Sequence, residues 1–570
     1  MLRANLKNAI SEAIRNKFGD IAIPEFSVEI PENPEHGDYA TNAALILAHT
    51  LKQSPMEIVA LLSVELEAKN PELRKIEVVP PGFINFILSD KELLARIEGV
   101  LQNPDEWGKS KDGQGKTVMV EYLQLNIAKR PHVGHLRSAV IGDAIKRTLD
   151  SQGYHAVSDT HVGDWGTQFG ILLWAYKQAD KDTKKKIEED PFSQLEVLYQ
   201  TANKDENANE FGKAEFAKLE KGDTENRKIW QWMVEISMEK LEESASRLGL
   251  LSFDEHKGES SYENDMPAIV TLTLEKGVAK KTEEGAVIVD LENEGLDQAI
   301  LVKSDGASTY LLRDLATIKY RKEHWNFWKN LYLVDVRQSH HFKQVFRVAE
   351  LLRFEGVNES EHVEYGFMSL PTGAISTRAG NIISLEAVCD EAIHRAREVI
   401  KEKNPDLENA NVVAHKVGIG ALKYFDLSHN RRSDIIFKWD EALSFEGNTG
   451  PYIQYTYARL KSILRKTTDQ DVEHSVSNTI GLDSLEHRLV AAGLRLGETI
   501  EDALEDFMPN ILANYLYNLA KLANEFYHSH PVLQESDPAK KQFRLSLISL
   551  VALTLAKGLS LLGIDAPEEM

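Results

Sequence analysis

Short apolar runs alternate with helical periodicity in the central part of the chain. The run Thr117–Leu125 is β-branched and apolar at its start, which predicts a strand. A loop follows, and then a helical pattern from about His132 to Ser151, with Gly153 as its stop signal. The apolar stretch Leu331–Val336 predicts a second parallel strand. A strand, a loop and a helix in this order predict a doubly wound α/β domain.

The pattern differs at the N-terminal end. Residues 1–110 hold two helical patterns and two short β-like stretches, one after Phe26 and one at Pro81–Leu88. The polar run Gly108–Lys116 that follows predicts a linker to the central domain.

Helical periodicity dominates elsewhere. Residues 180–250 are charged and helical, which indicates an insertion in the central domain. From about residue 386 onward nearly all of the chain has a helical pattern, apart from a predicted polar loop at 468–485.

Composition indicates a globular, multidomain protein. The 570 residues are 42% apolar and 27% charged. The single cysteine, Cys389, excludes an internal disulfide framework and a cysteine-cluster metal site. The apolar run Leu545–Ala556 is too short to span a bilayer and predicts a buried helix. The first helix is amphipathic, and Glu12 and Asp20 disfavour a transit peptide, so we expect a cytoplasmic protein without a membrane partner.

The charge balance argues against a general nucleic-acid binder. There are 66 basic and 89 acidic residues, for a formal net charge of −23. Two basic stretches, Asn126–Arg147 and Pro451–Thr468, interrupt this acidic background. Two basic stretches on an acidic protein are typical of a protein that binds a polyanion selectively rather than promiscuously.

The strongest local motif is His132-Val133-Gly134-His135, directly after the predicted strand and loop. Its histidines share one helix face, and the start of a helix attracts phosphate. Such histidines could donate hydrogen bonds to developing negative charge. Gly134 leaves room for a flat base, while Lys129 and Arg130 add positive charge. The alternatives are two histidines on an ordinary helix, or a zinc site that lacks a nearby third ligand.

A second, small polar loop carries Ser376, Thr377 and Arg378. It could fold over a phosphate, although the same composition is typical of an ordinary turn.

A third group combines acidic, aromatic and amide side chains. Tyr310 and Asp314 are four apart on a predicted helix, while Glu121, Asn126 and Gln338 lie in or just after predicted strands. Two carboxylates with a tyrosine and amides would suit a guanidinium or ammonium substrate. The alternatives are a solvated Tyr–Asp pair and a core glutamine.

A fourth stretch, Tyr452–Lys466, mixes tyrosines and cations on a predicted helix. It could stack and neutralise single-stranded bases. A solvated helix face with core tyrosines would have the same pattern.

Together, six segments resemble the arginyl-tRNA synthetases, a family of class I aminoacyl-tRNA synthetases. They are NIAKRPHVGHLRSAVIGDA (126–144), HVGDWGTQFG (161–170), GDYATNAA (37–44), PGFINF (81–86), FEGNTGPYIQYTYAR (445–459) and LLGIDAPEEM (561–570). They extend over essentially the whole chain.

The resemblance implies an α/β plus all-α fold. Its parts would be an α+β N-terminal additional domain that contacts the tRNA elbow, a Rossmann-type catalytic domain and a helical anticodon-binding domain. The implied ranges are 1–107 for the additional domain, 108–385 for the catalytic domain with its helical insertion at about 180–250, 386–445 for a connecting helical region that contacts the tRNA stem, and 446–570 for the anticodon-binding domain.

The resemblance also implies residue roles. His132 and His135 would contact the ATP phosphates, and Gly134 would pack under the adenine. Asp314 would bind the substrate guanidinium and Glu121 its α-ammonium group. The implied arginine pocket is Glu121, Asn126, Tyr310, Asp314 and Gln338, and the implied tRNA contacts are Tyr457, Arg459, Lys461 and Arg465.

The chain departs from the family at two places. The loop that usually carries two lysines is here Ala374–Arg378, with no lysine at either position. The resemblance shifts that role to Lys129, with Arg378 as a helper and with Ser376 and Thr377 near ATP. The second departure, Leu123-Gln124-Leu125, falls where the family often has Ser or Ala and then Pro.

The implied activity is arginine–tRNA ligation. L-Arginine would react with ATP to give arginyl-AMP, and the 2′-hydroxyl of the terminal adenosine of tRNA(Arg) would accept the arginyl group. Activation is expected to require bound tRNA. Mg²⁺ would be held mainly by the phosphates, without a resident metal, and the chain is expected to be a monomer. The alternatives are a non-catalytic tRNA-binding paralogue and another class I adenylating enzyme.

Overall fold

The N-terminal part of the chain folds around an antiparallel sheet. The computed structural model describes residues 2–31, 33–371, 373–374, 384–467 and 480–570. Four strands pair in the order β1-β2-β4-β3, and helices supply the apolar side chains that bury one face of the sheet. The elements are α1 (Leu2–Phe18), β1 (Val28–Glu29), β2 (Tyr39–Thr41), α2 (Ala43–Leu51), α3 (Pro55–Lys69), β3 (Leu73–Val79), β4 (Phe83–Leu88) and α4 (Asp90–Gln102). The sequence pattern had predicted only two strands and two helices here.

A four-stranded parallel sheet forms the centre of the molecule. Its order is β11-β10-β5-β6, and all neighbours are parallel. Buried apolar side chains along β5 pack under the flanking helices, as expected for a sheet covered on both faces. The strands and their first helix are β5 (Thr117–Glu121), α5 (Leu136–Ser151), β6 (His155–Asp159), β10 (Lys329–Tyr332) and β11 (Ser360–His362).

Helices and two small sheets surround this central sheet. The inserted helices are α6 (Thr167–Gln178), α7 (Lys181–Glu189), α8 (Pro191–Ala202), α9 (Ala208–Glu220) and α10 (Thr224–Arg247). The next elements are α11 (Met266–Glu275), β7 (Lys280–Lys281), β8 (Val287–Val289), β9 (Ala299–Val302), α12 (Tyr310–Trp325), α13 (Ser339–Leu352), β12 (Met368–Leu370), β13 (Gly373–Ala374) and α14 (Leu385–Lys403). The predicted helical insertion at 180–250 corresponds to α7–α10.

After α14, the secondary structure of the described residues is helical except for one short strand, and most of the predicted polar loop at 468–485 lies outside the described residues. The elements here are α15 (Ala410–Leu427), β14 (Ile435–Ile436), α16 (Trp439–Ala442), α17 (Gly450–Arg465), α18 (Ser484–Gly493), α19 (Leu496–Glu505), α20 (Pro509–Ser529) and α21 (Pro538–Leu561). Helix α21 contains the predicted buried run and packs against α17 and α20. Of the helices in the described chain, only α21 is long and apolar enough to cross a membrane, and 67% of its most apolar window is buried.

Two predicted strands are shorter than the apolar pattern indicated. The first ends at Glu121 rather than Leu125, because Leu123 turns the chain with a φ of 59°. Its N–H donates to the Ser138 hydroxyl at 2.9 Å instead of to a neighbouring strand. The second covers Lys329–Tyr332, and the chain then forms a short 3₁₀ turn at Val336–Gln338. Both strands thus stop where the chain leaves the sheet edge.

The N-terminal part is docked on the C-terminal helices by charged groups. His487 of α18 lies between two carboxylates, 3.0 Å from Asp38 Oδ2 and 3.3 Å from Asp90 Oδ1. The Tyr39 hydroxyl donates to Glu498 of α19 at 2.9 Å. The two ends of the chain are therefore held together by partly buried polar contacts.

Candidate active site

The His132–His135 motif forms a 3₁₀ turn that leads into α5. The Gly134 N–H donates to Nδ1 of His132, and the His132 N–H donates to Nδ1 of His135, both at 3.1 Å. Because each Nδ1 accepts a backbone hydrogen bond, each ring proton lies on Nε2. The ring centroids are 3.9 Å apart. The motif therefore presents two neighbouring Nε2–H donors.

Both imidazoles are kept neutral by their surroundings. Burial, followed by the charge of Lys129, lowers the pKa of His132. Burial and the neighbouring His132 lower the pKa of His135 to about 3. Neutral imidazoles that donate from Nε2 can bind phosphate oxygens without exchanging a proton at neutral pH.

The loop before the motif places one cation beside it. Lys129 is exposed at the surface, although desolvation by the surrounding protein lowers its pKa. Its ammonium group lies 5.8 Å from the centre of the Tyr199 ring. No carboxylate among the described residues pairs with Lys129. The adjacent Arg130 instead bonds Glu196 and Ser193 of the helical insertion. Across the described ranges, no carboxylate would therefore compete with a ligand for Lys129.

The start of α14 is attached directly to the motif. Ser384 forms an antiparallel bridge with His132, and the Leu385 N–H donates to the Pro131 carbonyl at 3.0 Å. The N-terminal end of α14 thus lies beside His132. The predicted residues Ser376, Thr377 and Arg378 lie outside the described residues.

Glu121 lies in a buried ion-pair cluster at the carboxyl end of β5. Arg321 of α12 donates to Glu121 Oε2 at 2.6 Å and to Asp159 Oδ2 of β6 at 2.7 Å. The other Glu121 oxygen accepts a hydrogen bond from Gln124 at 3.0 Å. Although burial opposes the charge of Arg321, the two carboxylates raise its pKa. Glu121 is thus already bonded at both oxygens inside the protein.

Asn126 lies at the surface of the same end of the sheet. It forms a parallel bridge with Gly163, and its side-chain oxygen accepts from Gln168 at 3.2 Å. A Cβ at position 163 would come within 2.3 Å of that oxygen, so a larger residue there would displace the Asn126 side chain. The 161–170 segment therefore supports the loop after β5.

Asp314 lies in the first turns of α12 between two histidines. Nε2 of His341 is 2.6 Å from its Oδ2, and Nε2 of His161 is 3.8 Å from its Oδ1. Tyr310, one turn earlier, is 59% exposed. Gln338 is also exposed and immediately precedes α13. Asp314 and Tyr310 thus lie on α12, and the Asp314–His341 contact joins this helix to α13, which begins directly after Gln338.

Sequence reasoning missed four residues of this region: Arg321, Asp159, His161 and His341. The resemblance had marked the segment 161–170, but it gave His161 no role. Arg321 carried no local signal because its partners are distant in the sequence.

The predicted tRNA contacts lie on α17. Tyr457 is buried in the helical core, and Arg459 bonds Asn524 at 2.9 Å. Lys461 and Arg465 pair with the C-terminal acids Glu568 and Glu569. A basic, partly exposed helix face is present, although its cations are engaged with neighbouring acids.

The first predicted basic stretch is partly internal, so its interpretation as a polyanion surface is wrong for Arg137 and Lys146. Arg137 is fully buried, and Lys146 donates to the Ala156 carbonyl inside the protein. Arg147 bonds Asp143 at 2.8 Å. Some charged side chains of a helix that packs on a sheet face the protein interior. Counting charges along the sequence does not show which ones do.

Comparison with known protein families agrees with this architecture. Residues 3–88 match the family model described as "Arginyl tRNA synthetase N terminal domain". Residues 96–439 match "tRNA synthetases class I (R), catalytic domain", and residues 453–570 match "DALR anticodon binding domain". The parallel sheet with the His132–His135 motif at the carboxyl end of its first strand is thus a class I aminoacyl-tRNA synthetase catalytic domain.

Relatives extend the match to the full length. The chain is 37% identical over 574 residues to the arginine–tRNA ligase of Alkaliphilus metalliredigens, covering 100% of both chains. It is 38% identical over 571 residues to that of Clostridium kluyveri, covering 99% of each. The arginyl-tRNA synthetase structure from Thermus thermophilus superposes with a TM-score of 0.83 at 26% identity, covering 100% of each chain. The chain belongs to the arginyl-tRNA synthetase family.

Proposed function

We propose that this arginine–tRNA ligase forms arginyl-AMP at the site built by the His132–His135 motif, Lys129 and Asp314. The observation that carries the proposal is the paired tautomer of the motif, in which both Nδ1 atoms accept backbone N–H groups. Two fixed Nε2–H donors suit the oxygens of ATP phosphates.

In the first step, the arginine carboxylate attacks the α-phosphate of ATP, and pyrophosphate leaves. Positioning and charge stabilisation dominate, because no side chain needs to form a covalent bond. The two Nε2–H groups would donate to phosphate oxygens as charge develops there. Gly134 would leave space for the adenine. The 2′-hydroxyl of the terminal adenosine of tRNA(Arg) then attacks the acyl carbon, and AMP leaves.

Lys129 would supply the positive charge that the loop at 374–378 lacks. In the part of the chain that the structure describes, no carboxylate pairs with its ammonium group, whereas Arg130 in the same loop is engaged with Glu196, and this difference supports the assignment. Arg378 would assist from the loop, with Ser376 and Thr377 near ATP. Mg²⁺ would be held mainly by the phosphates.

The arginine pocket would use Asp314 for the guanidinium, together with Tyr310, Asn126 and Gln338. A carboxylate that receives two N–H donors of a planar group discriminates against the ammonium of lysine. Glu121 would act on the α-ammonium through the field of its buried cluster, because its side chain is buried and bonded to Arg321 and Gln124.

Other assignments extend the proposal beyond the site. Activation would require bound tRNA(Arg), which Arg459, Lys461 and Arg465 of α17 would contact. The fourth predicted contact, Tyr457, is buried in the helical core and would support this helix from the inside. The domain boundaries after residues 107, 385 and 445, the monomeric state and the cytoplasmic location remain predictions.

The direct test of the proposed site is Lys129→Ala. We expect arginine activation to fall by roughly 100-fold or more, while tRNA binding stays near that of the unchanged protein. Arg130→Ala is the matched control, because it removes a cation from the same loop and should change activation far less. If Lys129→Ala activates arginine as fast as the unchanged protein does, the proposed role of Lys129 is wrong.

A further inference from the structure

The Asp314 carboxylate has one histidine at each oxygen. His341 Nε2 lies 2.6 Å from Oδ2, and His161 Nε2 lies 3.8 Å from Oδ1. The two histidines come from different parts of the chain: His341 from the first turn of α13 and His161 from the segment after β6. Neither is part of the His132–His135 motif or of the predicted arginine pocket.

His161 is held in an unfavourable backbone conformation. Its φ is 39°, a left-handed value that is unfavourable for a residue other than glycine. Its N–H donates to Asp159 Oδ1 at 3.1 Å, which fixes the turn. The side chain is 9% exposed, and its Nδ1 has no hydrogen-bond partner within the described chain. A buried, strained histidine with a free ring nitrogen is typical of a functional site rather than of a packing position.

Charges from several elements act on the His161 ring. Burial lowers its pKa, but the carboxylates of Glu121 and Asp314, with Asp159, outweigh burial and Arg321 and raise it. Asp164 and Glu259 also interact with this ring. The protonated form of His161 is therefore favoured relative to an isolated buried histidine, which strengthens its attraction to Asp314.

His341 connects the two helices that carry the predicted arginine contacts. Asp314 and Tyr310 are on α12, whereas Gln338 immediately precedes α13. The hydrogen bond from His341 is the contact that joins the Asp314 carboxylate to the start of α13. Rotation of that carboxylate would break this bond.

We propose that His161 and His341 are positioning residues that hold the Asp314 carboxylate, one at each oxygen, in the orientation that receives the planar guanidinium group of arginine. This inference rests on the proposed assignment of Asp314 to arginine binding. A guanidinium bonds a carboxylate well only when the two planes are aligned, so a carboxylate free to rotate would lose affinity for arginine.

The test is steady-state aminoacylation of tRNA(Arg) with His341→Ala and His341→Gln. His341→Ala removes the donor and should raise the KM for arginine roughly tenfold, with kcat and the KM for ATP within about twofold. His341→Gln retains an N–H donor and should recover most of the loss. His340→Ala is the matched control, since the adjacent His340 pairs with the exposed Asp297 and should leave all three constants unchanged.

His161→Asn tests the second histidine without disturbing the turn. Asparagine tolerates a left-handed φ but is too short to approach Asp314 as the imidazole does. We expect the KM for arginine to rise severalfold while kcat is retained.

Asp314→Asn distinguishes the arginine-binding role of Asp314 from the positioning role of the two histidines. If it leaves the KM for arginine unchanged, the assignment of Asp314 is wrong, and the positioning role fails with it. If Asp314→Asn raises that KM but His341→Ala behaves like His340→Ala, the proposed arginine site stands and the positioning role is overturned. A third result would also overturn the positioning role. If both His341 variants lower kcat and raise the KM values for ATP and for arginine to a similar extent, the role of His341 is purely structural.

Discussion

Arg137 and Asp426 form a fully buried ion pair between α5 and α15. Nε of Arg137 is 3.1 Å from Oδ2 of Asp426, and each side chain is 1% exposed. The same guanidinium donates to the carbonyls of Gly366 at 2.7 Å and Ser433 at 2.8 Å. Arg137 follows His135 by two residues. The His132–His135 motif is thus anchored to the helical part of the chain by a buried ion pair.

Removal of this anchor should be costly. Arg137→Met leaves Asp426 buried without its partner, and we expect the free energy of unfolding to fall by about 3–5 kcal/mol. Urea denaturation followed by circular dichroism measures the change. The double variant Arg137→Met/Asp426→Leu should recover much of it, because no buried charge remains. A single variant with unchanged stability would contradict the anchoring role.

Arg321 should be required for the carboxyl ends of β5 and β6 to stay together. Arg321→Met would leave Glu121 and Asp159 as adjacent buried carboxylates, and we expect a loss of about 3–5 kcal/mol in unfolding free energy. Arg347→Met is the control, because it removes a surface ion pair with Glu294 and should barely change the thermal midpoint. Similar midpoints for both variants would show that the cluster does not stabilise the sheet.

The docking of the N-terminal part should depend on pH. Although burial lowers the pKa of His487, its bonds to Asp38 and Asp90 raise it overall. Burial raises the pKa of Asp38, but His487 lowers it overall. The stabilisation from His487 is therefore complete below the unfolded histidine pKa of about 6.5 and is lost as pH rises through its higher folded value. The stabilisation from Asp38 is present above its unfolded pKa of about 3.9 and is lost as pH falls through its lower folded value.

We accordingly expect His487→Asn to destabilise the protein by about 1–3 kcal/mol near pH 6 and by clearly less at pH 9. Thermal unfolding at both pH values measures the difference. His49→Asn, at an exposed histidine of α2, should show no such dependence. An equal loss for His487→Asn at both pH values would exclude a protonated His487 between the two acids.

Local patterns predicted the features that depend on neighbouring residues. The predicted strand–loop–helix unit around His132 is present in the structure. Its signals, apolar periodicity and a glycine at the helix end, lie within the unit itself. The order of the N-terminal, catalytic and anticodon-binding domains followed from the family resemblance, and the family models confirm it. The roles of the site residues and the domain boundaries remain predictions.

Features that depend on tertiary contacts could not be predicted in this way. Arg321 is 200 residues from Glu121 and 162 from Asp159 in the sequence, so no local pattern connects them. The same limit explains the internal cations of α5, since charge counts along the chain do not show which face of the helix packs inward. Long-range ion pairs at the sheet edge are therefore visible only in the three-dimensional structure.

The central claim, that the chain activates arginine in a tRNA-dependent step, is tested most directly by ATP–pyrophosphate exchange. The assay is run with arginine in the presence and absence of tRNA(Arg), and with lysine, citrulline and canavanine for comparison. We predict exchange with arginine only when tRNA(Arg) is present. We predict little exchange with lysine, whose ammonium group is not planar, or with citrulline, whose planar group is uncharged. Exchange without tRNA would contradict the coupling. Absence of exchange under both conditions, with tRNA binding intact, would contradict the catalytic account and favour a tRNA-binding paralogue.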